Sequence, residues 1–291
     1  MLESFSKPSI VCWDFDLTIT RKHVHNLLWD ALGQQKCTRE NYLSYYQEHY
    51  LNESLINHLD ELAETIMNLH SQGIQQAAVS FTNFSKVILP SFRFILKTYM
   101  MKGLGAKDPM AHSFCGDEQI IESLQAEYKE TEARVEAIVD EILQDFYIAP
   151  GFPTHEGAPR EFALIYERKM EACKSQHLNM VKSHFGIHDN SALLLVDDCS
   201  DNIVQAAAEG YRVCLADLKG GHLKRIAQMC VFTSEPALLQ SSLEKLSIEE
   251  ARFPMPLSRS FDPNFKRTRD CLANPNIEFN KDRESKLKRT V

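Results

Sequence analysis

The chain has no C-x-x-C pair, no apolar run approaching the length of a membrane span, and no surplus of positive charge over most of its length. Each absence removes a class of function. Its eight cysteines (Cys12, Cys37, Cys115, Cys173, Cys199, Cys214, Cys230 and Cys271) are thinly spread over 291 residues. That pattern indicates neither a disulfide framework nor a paired-cysteine zinc site, and reduced, mostly buried thiols are expected. The opening MLESFSKPS lacks the basic and apolar regions of a secretory signal, so a cytoplasmic location without a membrane span is expected. The net charge of −8 is uneven: residues 252–291 hold 10 Lys and Arg against 5 Asp and Glu, leaving 22 against 35 in residues 1–251, a net of −13. An acidic body argues against nucleic acid as a partner, because that affinity is mostly phosphate neutralisation by Lys and Arg. A phosphorylated substrate would need its own local cations.

What is present has the pattern of an open α/β sheet. Apolar runs without alternation, at Ile10–Trp13, Ala77–Val79, Ala192–Val196 and Tyr211–Ala216, suit strands covered on both faces. Helical spacing lies between them. Leu55, Leu59, Leu62, Ile66 and Leu69 form one stripe, stopped by Gly73. Val87, Phe92, Ile95, Leu96 and Tyr99 form a second, with Pro90 placed in its first turn or kinking it. Val135, Ile138, Val139, Ile142, Leu143 and Phe146 form a third. A short helix is expected from Asn202, as N-cap, to Gly210. Strands alternating with helices predict a Rossmann-like three-layer α/β sandwich with a mostly parallel sheet. Ligands in such sheets bind beyond the carboxyl ends of the strands. Two stretches exceed simple crossovers, at about 21–54 and 84–173, and suit helical cap-type inserts, lids or packing elaborations. Residues 1–250 then form the folded body, and 251–291 a basic, loosely ordered tail.

The strand ends carry the chemistry. The first, IVCWDFDLTIT, ends at Asp14 and Asp16 with Thr18 beyond; the second ends at Ser80, followed by Thr82; Lys174 opens the segment CKSQHLNMVKSHFG; and the strand in SALLLVDDCSDNI ends at Asp197 and Asp198. Moving a phosphoryl group onto a carboxylate brings two anions together, so a divalent cation must bridge them and donors must absorb charge on the phosphoryl oxygens. Magnesium takes hard oxygen ligands, which Asp14 and the Asp197–Asp198 pair could supply. Ser80 and Lys174 would hold the phosphoryl oxygens.

Response-regulator receivers use the same residue types in another order, with the acidic pair first. The order D-x-D-x-T, Ser, Lys, DD, with V-D-D-x-x-x-N-I-x-x-A-x-x-x-G closing it, resembles the haloacid dehalogenase-like (HAD) phosphohydrolase superfamily over roughly residues 8–82 and 172–216. The resemblance implies an Mg2+-dependent phosphatase acting on a phosphomonoester. Asp14 matches the nucleophile that forms an aspartyl-phosphate, and Asp16 the general acid/base, whose surroundings must favour its protonated form near neutrality. The metal set implied is Asp14, the Asp16 backbone carbonyl, Asp198 directly and Asp197 through water. Ser80 matches the phosphate-binding hydroxyl, with Thr82 as the alternative, and Lys174 the phosphate-binding lysine, with Lys169 and Lys182 as rivals. Thr18 is expected to hold the loop through its hydroxyl and Asn202 to cap a helix. Asp16 speaks against a dehalogenase, which lacks an acid/base there.

Other residues are assigned less. His23 and His25 flank Val24, and His184 and His188 have helical spacing but a glycine between them and no third zinc ligand nearby. His177 follows Lys174 by three residues and is a supporting candidate. Cys199 is expected to be inert beside the acidic pair. The substrate, a small molecule or a phosphoprotein, is open. The rival functions are a phosphotransferase or mutase, which passes the phosphoryl group to an acceptor other than water, and a binding or regulatory protein using the same core as a scaffold.

Overall fold

The structure is a computed structural model that describes residues 7–82, 84–105, 118–149 and 173–230. Within them five parallel strands form one sheet: β1 (Ile10–Trp13), β2 (Gln75–Ala78), β3 (Tyr147–Ile148), β4 (Leu193–Asp197) and β5 (Arg212–Leu215), in the order β3-β2-β1-β4-β5. Eight α-helices surround them: α1 (Val24–Gly33), α2 (Tyr42–His49), α3 (Leu59–Ser71), α4 (Ile88–Gly103), α5 (Glu118–Leu143), α6 (Cys173–Phe185), α7 (Ser200–Ala208) and α8 (Gly221–Cys230). This is the expected three-layer α/β sandwich.

Side chains alternate across a strand, so one apolar run feeds two cores. Val11, Trp13, Ala78, Leu194, Val196 and Cys214 face one core with residues of α1 to α5 and α8, whereas Ile10, Cys12, Ala77, Leu193 and Leu195 face the other, with Leu178 and Val181 of α6 and Ala206 of α7. A buried indole needs a partner for its N–H. Trp13 Nε1 donates to Gln76 Oε1 at 3.1 Å, and Gln76 Nε2 donates to the Ile66 carbonyl, tying β1, β2 and α3 together.

The expected helices are all present, with shifted ends. Pro90 lies in the first turn of α4, where its missing N–H costs nothing. The stripe from Leu59 to Leu69 is α3, and Leu55 lies before it. Helix α7 begins at Ser200 with Cys199 as its N-cap, so Asn202 sits inside the first turn and is not the cap. The edge strand β3 was not foreseen: two residues directly after a long helix carry no readable run, and pairing with Ala77 and Ala78 alone makes them a strand.

Residues 21–54 leave the sheet and return to it, their ends pinned by a bridge between Thr20 and Ile56 and by Arg21 N donating to the Leu55 carbonyl at 2.7 Å. They carry α1 and α2, whose buried Tyr42 and Tyr46 serve packing; Tyr46 Oη meets Ser91 Oγ of α4 at 2.7 Å. Of the second stretch, α4, α5 and β3 are folded against the same core. Lys169, most of the Pro/Gly-rich stretch after Ala149, and the basic tail lie outside the described residues. No helix among the described residues is long and apolar enough to cross a membrane.

Candidate functional site

Strands β1, β2 and β3 run outward in one direction from the sheet centre and β4 and β5 in the other, so the order reverses between β1 and β4. A crevice opens at such a point, beyond the carboxyl ends of the two strands. Asp14 follows β1 there, with its N–H on the Val196 carbonyl at 2.8 Å, and Asp197 ends β4 beside it. Carboxylate oxygens of Asp14, Asp197 and Asp198 lie within 4.8 Å of one another.

Lys174 answers this charge. It sits at the start of α6, which leads into β4, and the residue is 3% exposed. It donates to Asp14 Oδ1 at 2.5 Å, to Asp197 Oδ2 at 3.1 Å and to the Val79 carbonyl, which accounts for its three protons. Burial alone would push the ammonium down, but Asp14 and Asp197 outweigh it and hold Lys174 above the ordinary lysine value. Burial pushes the Asp14 carboxyl up; Lys174 opposes the shift, and Asp197 and Asp198 reinforce it. Asp198, half-buried, is raised by burial and then by Asp197. The phenyl ring of Phe81 lies 4.9 Å from Lys174 Nζ, and His177, one turn along α6, packs on Phe81 at 4.8 Å. Lys182 is elsewhere, bonded to Asn190 Oδ1 and near the Tyr211 ring.

Asp197 is held from both sides. Cys199 N donates to its Oδ1 at 2.8 Å, and Asn202 Nδ2 donates to both oxygens at 3.1 Å. This is the actual role of Asn202, in place of the expected helix cap. A first-turn asparagine five residues after a strand-end aspartate is the signal that would have pointed to it, because that turn folds back over the strand end.

Asp16 takes the place of a helix cap. His23, the N-cap residue of α1, makes no side-chain cap bond. The free N–H groups of the first turn donate instead to Asp16, Val24 N to Oδ1 at 2.8 Å and His25 N to Oδ2 at 3.4 Å. Burial raises the Asp16 pKa and those two donors oppose the rise. Thr18 does not hold the loop: its buried Oγ1 has no hydrogen-bond partner among the described residues. Thr20 does that work, donating to the Phe15 carbonyl at 3.2 Å and the Lys22 carbonyl at 2.8 Å. Ser80 is buried just past β2, next to the Val79 carbonyl that Lys174 engages, while Thr82 Oγ1 accepts from Phe84 N at 3.1 Å and so stabilises its own turn. Cys199 is exposed, and Cys12, Cys37, Cys214 and Cys230 are free and buried. His184 stacks on Tyr147 at 4.0 Å.

The donor set suits a hard divalent cation. It consists of carboxylate oxygens, without sulfur or imidazole, and three carboxylates against one ammonium leave two negative charges to be offset. The burial that raises Asp14 and Asp198 is what such a cation would counter. The cluster joins a buried carboxylate to an ammonium and two further carboxylates, while the Asp16 carboxyl, raised by burial, is turned onto the start of α1. No family model matches the chain, and no curated protein matches it.

Proposed function

We propose that this protein is an Mg2+-dependent phosphohydrolase of the HAD type, cleaving a phosphomonoester through an aspartyl-phosphate on Asp14. The observation that carries this reading is the buried ammonium of Lys174 bonded to both Asp14 and Asp197 at the reversal point of the sheet, with Asp198 alongside. A structural ion pair needs one partner for each charge, whereas this cluster keeps three carboxylates against one ammonium.

An oxygen of Asp14 attacks phosphorus while the bond to the leaving oxygen breaks, and Asp16 delivers its proton to that oxygen. Asp16, now anionic, is stabilised by the Val24 and His25 N–H groups and takes a proton from the water that attacks the aspartyl-phosphate. Inorganic phosphate leaves and Asp14 is restored. Lys174 and Ser80 hold the phosphoryl oxygens, Lys174 by exchanging one of its present acceptors for them. Mg2+ held by Asp14, Asp198 and the Asp16 carbonyl, with Asp197 behind them through water, would offset the repulsion between the carboxylates and the phosphate.

The test is phosphate release from a small aryl phosphate, with and without Mg2+, by the native protein and by Asp14→Asn. Turnover should require the metal and fall by at least about a thousandfold on loss of the nucleophile. Turnover that survives the substitution, or a folded native protein that releases no phosphate, overturns the reading.

A further inference from the structure

The surface beside Asp16 carries an indole that the core does not use. Helix α1 turns Val24, Leu28 and Ala31 inward, yet Trp29 is 52% exposed, the only exposed Trp, Phe or Tyr among the described residues. A lone exposed apolar side chain is ordinary. This one ends a row. Its ring lies nearly parallel to the His25 imidazole (8°, centroids 6.1 Å apart); His25 is tilted on Phe84 at 5.4 Å, and Phe84 meets Tyr42 edge-on at 5.1 Å. Phe84 and Tyr42 are buried, so the row is anchored in the core and emerges at Trp29.

The row passes the acid. The His25 N–H donates to Asp16 Oδ2, and the imidazole is close enough to bear on the charge of that carboxylate. His25 Nδ1 is buried and has no hydrogen-bond partner among the described residues. In the proposed reaction Asp16 protonates the leaving oxygen, so the organic part of the substrate lies on the Asp16 side of phosphorus. Trp29 is four residues beyond His25, about 6 Å along α1. A planar ring joined closely to the leaving oxygen would meet this row first, at His25 and then at Trp29.

Resting on the phosphohydrolase reading, we infer that Trp29 and His25 form a stacking platform for the leaving group, and that the substrate is an aryl or arylmethyl phosphomonoester. A flat π face favours a planar ring over a saturated one of equal size, by an amount that corresponds to about two- to tenfold in affinity. Phe84 packs on His25 from the core, and Tyr42 packs on Phe84 in turn.

The test separates the platform from the chemistry by reading binding. Benzylphosphonate and cyclohexylmethylphosphonate have the same phosphonate group and the same number of ring carbons, and neither is an ester. Each is titrated by calorimetry in Mg2+ into the full-length native protein, Trp29→Phe and Trp29→Ala. Trp13 is fully buried, so of the two tryptophans only Trp29 should report the ligand by fluorescence. The expected result is tighter binding of the benzyl compound by about two- to tenfold, with a change in Trp29 emission. Trp29→Phe should keep the preference. Trp29→Ala should bind both compounds equally. Equal binding of the two compounds by the native protein, or a preference that survives Trp29→Ala, overturns the platform alone. Failure of both compounds to bind the folded native protein overturns the phosphate site together with it.

Discussion

Lys174 decides whether three carboxylates can share one crevice. Its ammonium is buried against Asp14 and Asp197, and no other cation among the described residues makes an ion pair with either. Replacing one partner of a buried pair leaves the other charge uncompensated in a poorly solvated place, which typically costs about 3–5 kcal/mol. Lys174→Met keeps the length and apolar stem of the side chain, so it isolates the charge. In metal-free buffer we expect it to lower unfolding free energy by about 3–5 kcal/mol in a denaturant titration. Adding Asp14→Asn to it should restore part of the loss, because one of the stranded charges is then gone. A single variant as stable as the native protein would show that the pair is solvated and the crevice wet. Asn202 acts on one of these carboxylates from the other side, donating to both oxygens of Asp197.

At the scale of the element, helix ends and their turns place the site. Helix α1 is capped by Asp16, α6 presents Lys174 from its first turn, and α7 opens on the residues that hold Asp197. The turn between β5 and α8 is built differently, by backbone geometry. Gly220 has φ +75°, and a Cβ there would meet the His58 ring at 2.9 Å, while His58 Nε2 contacts the Leu218 carbonyl at 2.8 Å. Gly73, which ends α3, has φ +66° with nothing within 4 Å of the same added carbon. Alanine at Gly73 therefore bears only the left-handed backbone cost, about 1–2 kcal/mol, whereas alanine at Gly220 must also displace His58. Thermal unfolding of the two variants should rank Gly220→Ala below Gly73→Ala. The reverse order would mean that the His58 ring yields freely and does not brace the turn.

For the whole molecule, the reversal of strand order matters most. Asp14, Lys174 and the Asp197–Asp198 pair come from the ends of β1, α6 and β4, and they form one cluster only when the sheet is assembled. A ligand held by such a site stabilises the entire fold, because the unfolded chain has no equivalent. Mg2+ at about a hundred times its dissociation constant should add about 2.7 kcal/mol to unfolding free energy and raise the melting temperature accordingly. Asp198→Asn should remove most of that increment while unfolding cooperatively. The comparison is made by scanning calorimetry in Mg2+ and in chelator. An equal Mg2+ shift in both proteins would place the ion away from this cluster.

Much of this was legible in the residues themselves, because burial on both faces of a strand and helical spacing are local patterns. The four longer strands, helices α3, α4, α5 and α7, and the strand-end positions of Asp14, Asp16, Ser80, Asp197 and Asp198 follow from runs of a few residues. The two-residue strand β3 has no such run; it exists only through its pairing with β2. The functions of Thr18, Thr20 and Asn202 were also beyond local reading, since a hydroxyl or amide has several local partners to choose from and only the folded loop selects one. Three lysines were candidates by spacing. Spacing favoured Lys174 and left Lys169 and Lys182 as rivals; its partners became visible only in a contact between residues 160 apart in the chain, where α6 brings an ammonium to carboxylates that would otherwise repel one another. Short-range periodicity determined the elements; the electrostatic need of a buried acidic crevice, which exists only after the strands have met, decided the partners.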